Sequence, residues 1–204
     1  MLPILRSVIP ALTLGIGCLS FSGPILADEE QLPPDHGYML IRLKLASGER
    51  VGLLRMHNVD TDHIVTIRQE SFKKAGLNGW IALVAMPNGR YFYSDFLPTY
   101  GPQDSAVKTF PRSAPGSASD TFEVVSGVVN YVGDWRMRNE MQIDASLRRH
   151  SSFRRQLNPI VELSNSTLER YVTQFPDYSG KYEIYLSAMG KKAVPLDELV
   201  KPIE

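Results

Sequence analysis

Residues 38–45 read Tyr38-Met39-Leu40-Ile41-Arg42-Leu43-Lys44-Leu45, and this stretch sets the fold class. Met39, Ile41, Leu43 and Leu45 alternate with Arg42 and Lys44. Successive strand side chains point to opposite faces, so the pattern predicts a strand with one face in a core and the other in water. Ser47-Gly48-Glu49-Arg50 makes a turn, Val51 to Met56 returns, and His63 to Arg68 is a third β-branched run.

Further along, Trp80 to Met86 (WIALVAM) has no polar residue on either face, which predicts a central strand covered on both sides. Asn88-Gly89 accepts the positive φ of a tight hairpin, so Arg90 to Phe96 is expected to fold back antiparallel on that strand. Thr121 to Val125 and Val128 to Trp135 form another pair around Ser126-Gly127, and Met141 to Ala145 and Ile160 to Leu163 are further candidates. No alternating strand and helix periodicity appears. The expected fold is therefore mainly β, an antiparallel β-sandwich.

One helix is expected near the C-terminus. Ser166 and Glu169 form a capping-box pair, and Leu168, Tyr171, Val172 and Phe175 make an apolar stripe before Pro176 stops the helix. This α-helix should pack on the sandwich. Lys181 to Leu186 alternates again as a last strand.

The N-terminus reads as an export signal. Arg6 supplies the basic region, Val8 to Leu19 the apolar region, and Ile25-Leu26-Ala27 a cleavage site before Asp28, so the expected cut lies between Ala27 and Asp28. Pro10, Gly15, Gly17 and Pro24 interrupt the apolar run, well short of the ~20 residues that cross a bilayer. The expected division is a signal peptide over 1–27, a flexible acidic leader over 28–37, the domain over 38–194 and a loose tail over 195–204. The expected location is periplasmic or secreted. Cys18, the single cysteine, offers an alternative: lipidation after Leu14-Gly15-Ile16-Gly17, which would anchor the chain to a membrane. That motif usually has Leu three residues before the cysteine, where Gly15 stands here. With no cysteine in the folded part, stability rests on the core.

Lys and Arg total 22 against 22 Asp and Glu. Loss of Arg6 with the signal leaves the mature chain about one charge negative, which makes no electrostatic case for a nucleic-acid partner. The exception is local. Residues 136–155 carry Arg136, Arg138, Arg148, Arg149, Arg154 and Arg155 with His150, against only Glu140 and Asp144. Guanidinium forks at Arg148, Arg149, Arg154 and Arg155 are suited to carboxylates, phosphates and anionic head groups, whereas the bland alternative is a solvated sheet edge. Pro98 to Asp120, rich in Pro, Gly and Ser, reads as a long structureless connection in which Lys108, Phe110 and Arg112 are the candidate contact residues.

Familiar catalytic patterns fail. Ser71-Phe72-Lys73-Lys74 and Ser105-Ala106-Val107-Lys108 both match S-x-x-K, but the partner elements of penicillin-binding enzymes are missing. His57, Asp60, Asp62 and His63 put four possible ligands in seven residues, yet their spacing fits neither a helical zinc motif nor a calcium loop, and Asx residues are favoured in turns. No metal or cofactor is expected. Tyr91, Phe92, Tyr93, Tyr131, Trp135 and Trp80 read as core aromatics before they read as a platform for sugar or peptide.

Gly79-Trp80 opening a buried strand, the run Phe122 to Gly127, the segment Val129-Asn130-Tyr131-Val132-Gly133-Asp134 and the terminal Gln174-Phe175-Pro176 together resemble small exported bacterial β-sandwich domains of the prealbumin-like kind. The likeness covers about 100 residues and turns on a "Y-x-G-D" pattern. It implies a fold and a compartment, and carries no catalytic residue. The functional expectation is a non-catalytic binding or envelope-interaction module whose partner is an anionic envelope component or another protein. Its competitor is a metal-dependent hydrolase built on the His57 to His63 cluster.

Overall fold

The computed structural model describes residues 32–100, 110–111, 121–143, 151–160 and 163–199. Residues 110–111, 137–143 and 151–160 enter through their strand pairing alone. The chain is mainly β, with two sheets and few helices.

The larger sheet holds β1 (His36–Lys44), β4 (Lys73–Lys74), β5 (Gly79–Pro87), β9 (Val129–Ile143), β10 (Ser151–Ile160), β11 (Ile184–Leu186) and β12 (Val194–Pro195). Its order is β12-β11-β9-β1-β5-β4, with β10 joined to β9. The smaller sheet holds β2 (Glu49–Asn58), β3 (Ile64–Arg68), β6 (Gly89–Tyr100), β7 (Phe110–Pro111) and β8 (Phe122–Val124). Helix α1 (Asn165–Gln174) follows β10, and the short α2 (Leu196–Leu199) follows β12.

Three expected hairpins are crossings between sheets. β1 lies in one sheet and β2 in the other, although β2 and β3 do pair as expected. β6 does not fold back on β5; it pairs with β2, from Glu49↔Tyr100 to Asn58↔Tyr91. β8 and β9 also separate across the Ser126-Gly127 turn. At Asn88-Gly89 the backbone reaches a φ of 138° at Gly89, and the Asn88 N–H donates to Asp35 O at 2.7 Å instead of closing a hairpin. Because the chain changes sheets between successive strands, β9 can return beside β1 in parallel, and β11 lies parallel to β9. The other pairs are antiparallel.

β1 also departs from expectation in its burial. Met39, Ile41 and Leu43 join a cluster that draws on both sheets, with Leu54, Met56, Tyr91, Phe96 and Trp135 among its members. Tyr38 and Leu40, on the opposite face, join a second cluster with Ile81, Tyr131, Tyr171 and Phe175. Neither face of β1 is in water. It is the central strand that β5 was expected to be, since beyond β5 lies only the two-residue β4. The half-solvated pattern belongs to β2, where Arg50 and Arg55 are exposed between buried Val51, Leu54 and Met56.

Asn130, fully buried, ties the β8–β9 turn to its surroundings. Its Oδ1 accepts from Val125 N–H at 3.0 Å and from Ser187 Oγ at 3.2 Å, while Nδ2 donates to the carbonyls of Tyr38 and Val125. The N-cap of helix α1 is Ser164, two residues before the expected Ser166, and it makes no side-chain cap bond. Thr167, Tyr171 and Phe175 are buried, whereas Val172 is 52% exposed and drops out of the apolar stripe. The expected tail begins inside the fold, because Val194 and Pro195 pair with Leu186 and Tyr185 and α2 follows. The expected leader also ends within it. His36 and Gly37 belong to β1, and Leu32 packs against the second cluster.

Candidate functional site

The arginine segment forms a ribbon. β9 runs on past the last residue of β1, whose register ends at Lys44↔Arg136, and β10 pairs with it from Ile160↔Asp134 to Ser151↔Ile143. Arg154 stands opposite Glu140, Arg155 opposite Asn139, and Arg138 opposite Gln156. Arg136, at the base, is exposed. Arg148 and Arg149 lie outside the described residues, as do Cys18 and the Ala27-Asp28 junction.

At the foot of this ribbon is a buried charged cluster that sequence reasoning missed. Asp134 accepts hydrogen bonds at Oδ1 from Tyr131 Oη at 2.8 Å and from Thr167 Oγ1 at 2.7 Å. Its Oδ2 lies 3.2 Å from Lys44 Nζ and 3.7 Å from Arg42 Nη1. Arg42 also donates to Ser166 Oγ at 2.9 Å, Thr167 Oγ1 at 3.1 Å and Ala75 O at 3.4 Å. Strand β1 thus supplies two cations, β9 the carboxylate, and the first turn of α1 the hydroxyls. Burial pushes the Tyr131 phenol far above its ordinary range, and the adjacent Asp134 carboxylate adds to the shift. A carboxylate engaged by two cations and two hydroxyls has its acceptor capacity taken up, which is the arrangement of a structural ion cluster. The "Y-x-G-D" residues were the available signal, but their partners Arg42 and Lys44 alternated like a solvent-facing row.

The His57 to His63 turn brings only two of its four possible ligands together. His57 Nε2 meets Asp62 Oδ1 at 2.8 Å, and its ring stacks on Phe92 with centroids 5.1 Å apart. Asp60 takes hydrogen bonds from the Arg90 side chain, which hold its carboxyl below the usual range. His63 is exposed, and Asn58 Oδ1 caps the turn by accepting from Asp60 N–H at 2.8 Å and Thr61 N–H at 3.1 Å. Among the described residues no three His, Cys, Asp or Glu side chains gather where they could hold a metal ion.

Of the two S-x-x-K matches, Ser105 to Lys108 lies outside the described residues. Ser71 ends a 3₁₀ turn (Gln69–Ser71), and Lys73 Nζ donates to Gln174 O at 2.7 Å and lies 4.4 Å from the centre of the Phe175 ring. Lys73 fastens the end of α1 to the sheet. Within the expected long connection, Phe110 and Pro111 pair with Phe96 and Asp95; Lys108 and Arg112 lie outside the described residues. Tyr91, Phe92, Tyr93, Tyr131 and Trp135 are buried, and the half-buried Trp80 donates through Nε1 to Glu49 O at 3.3 Å. These aromatic residues build core.

No protein-family model and no curated protein matches the chain. A similarity to the crystal structure of a leucine-rich repeat protein from Bacteroides thetaiotaomicron, at 14% identity, covers 49% of this chain and 13% of that one with a TM-score of 0.34. So loose a superposition over so small a part of that protein bears on neither fold nor function. Among the described residues no helix is long and apolar enough to cross a membrane.

Proposed function

We propose that this chain is an exported β-sandwich with its C-terminal helix packed on it, of the prealbumin-like kind, acting as a non-catalytic binding or envelope-interaction module. Its partner is an anionic component of the envelope. The observation that carries this reading is the β9–β10 ribbon, which past Asp134 carries Arg136, Arg138, Arg154 and Arg155 against one acidic residue among its paired positions, Glu140. Two other charged groups are paired within the chain, Asp134 with Arg42 and Lys44, and Asp60 with Arg90. Guanidinium groups match carboxylates and phosphates bidentately, and a nearly neutral chain adds no competing field.

Co-sedimentation of the purified protein with isolated envelopes tests this. The wild type should be retained, and a variant with Arg148, Arg149, Arg154 and Arg155 all changed to Ser should be released. Equal retention of the two would place the binding site elsewhere.

A further inference from the structure

We infer that β3 is a self-association edge, along which a second copy of this chain adds its own β3 in antiparallel pairing. β3 (Ile64–Arg68) ends the smaller sheet, with β2 on one side and no strand on the other among the described residues. Its register with β2 fixes which backbone groups look outward. The Asn58 N–H donates to His63 O, one step before His57↔Ile64 in that register, and bonded and unbonded pairs alternate along an antiparallel ladder. Val65 and Ile67 therefore bond to β2. The N–H and C=O groups of Ile64, Thr66 and Arg68 point to the free side, where they have no hydrogen-bond partner among the described residues.

The other strand edges are guarded. β4 is the lysine pair Lys73-Lys74, and β7, β10 and β12 contain Pro111, Pro159 and Pro195. Lysine and proline on an edge both act against further pairing. β8 instead lies beside the 190–193 segment, whose Gly190 N–H donates to Thr121 O at 2.7 Å and whose Ala193 N–H donates to Glu123 Oε2 at 3.2 Å. β3 has no proline, no lysine and no such neighbour among the described residues. Its pairing with β2 runs without a bulge, and Ile64 at its start is 49% exposed. An unbroken edge that presents an apolar side chain is a template for another strand.

Charge selects the occupant. Arg68, exposed and in no ion pair among the described residues, closes one end of the edge, and Asp62, with its side chain 94% exposed, stands in the turn before the other. A two-fold axis through the middle of β3 carries each end to the opposite end of the second copy. Two registers match outward groups to outward groups over most of the strand: Ile64 faces either Thr66 or Arg68 of the second copy. In the first, Arg68 stands across from Asp62 of the second copy; in the second the two are diagonal neighbours, within reach of a long side chain. Either register gives two equivalent pairs of opposite charge. A peptide from another protein would have to supply both charges, whereas a second copy brings them at the required spacing. Five residues extend only roughly 17 Å, so the dimer is expected to be weak, with a Kd of about 10–100 µM.

Sedimentation equilibrium of the full purified protein from about 1 µM to about 1 mM tests the inference. Concentration-dependent dimerisation is expected. Arg68→Asp should weaken it at least about tenfold, because two pairs of opposite charge become two pairs of like charge. Asp62→Arg should do the same, and the two changes together should restore the wild-type constant to within about threefold. Ile64→Lys, which supplies the lysine that this edge lacks, should also weaken association at least about tenfold. Far-ultraviolet ellipticity equal to that of the wild type separates loss of association from loss of fold in each variant. A monomer throughout the range, a dimer insensitive to both Arg68→Asp and Ile64→Lys, or a double charge swap as weak as either single change would overturn the inference. Envelope retention is a separate measurement, and the envelope-binding reading stands or falls without this one.

Discussion

Tyr131 donates a 2.8 Å hydrogen bond to Asp134, three residues on in the same strand, although positions three apart in a regular strand point to opposite faces. The register explains it. Between Leu40↔Tyr131 and Arg42↔Asp134, β1 advances two residues while β9 advances three, so β9 carries a bulge at Val132-Gly133. Gly133 has a φ of 98°, in the region that favours glycine. The bulge turns Tyr131 and Asp134 to the helix side and leaves Val132 and Trp135 in the inter-sheet cluster. Gly133→Val should lower stability by about 1–3 kcal/mol through backbone strain, read from denaturant unfolding. An unchanged midpoint would mean that the bulge is not fixed by this glycine.

Removing Asp134 would leave Arg42, with a side chain only 10% exposed, facing hydroxyls without a counter-charge. Asp134→Ala should cost about 3–5 kcal/mol, as expected for breaking one side of a buried pair. Adding Arg42→Met should recover part of that loss, because the uncompensated charge leaves with it. A double variant no better than the single one in equilibrium unfolding would show that Arg42 reaches water once Asp134 is gone.

Alkaline pH should unfold the protein through its buried tyrosines. Burial pushes Tyr171 up to about 12 and carries Tyr38 and Tyr131 higher still, with neighbouring Tyr182 adding to the shift at Tyr38 and Tyr171 and Asp134 to that at Tyr131. An unfolded tyrosine titrates near pH ~10. The folded state therefore holds more protons than the unfolded one above pH ~10, so the stability these phenols confer is complete below that pH and is lost as pH rises through the folded values. Tyrosinate absorbance should rise together with the loss of far-ultraviolet ellipticity. Tyr171 Oη has no hydrogen-bond partner among the described residues, so Tyr171→Phe should leave neutral stability nearly unchanged and reduce the alkaline sensitivity. Titration of all tyrosines near pH ~10 with the fold intact would contradict this account.

The crossing at Gly89 gives a further test. A Cβ there would stand 2.5 Å from Asn58 Nδ2, on a backbone already at positive φ. Gly89→Ala should therefore destabilise the protein by about 1–3 kcal/mol in thermal or denaturant unfolding. A neutral substitution would show that Asn58 and the turn can shift together.

Which parts of the fold were legible follows from the range of the physics involved. Period-two alternation located β1, a turn and its returning run located β2, β-branched residues located β3, and an uninterrupted apolar run located β5, because those signals are local. Turn residues located the bends at Gly48, Gly89 and Gly127, all of them at positive φ. A glycine that permits a turn does not say which sheet the chain enters next, so crossings were read as hairpins. Arg42 and Lys44 looked solvent-facing because their carboxylate, Asp134, arrives from a distant strand. The arginine-rich segment was visible in the sequence, but its course as a ribbon beyond β1 depends on the pairing of β9 with β10.

The central claim, that the arginine segment holds an anionic envelope partner, is tested most directly by measuring envelope retention across ionic strength. Raising salt from about 0.1 to about 1 M shortens the Debye length from about 10 to about 3 Å, which screens exposed charges. Retention of the wild type should fall at least about tenfold over that range, and the variant with Arg148, Arg149, Arg154 and Arg155 changed to Ser should show weak retention with little salt dependence. Wild-type retention that is equal at both ends of the range would contradict the account.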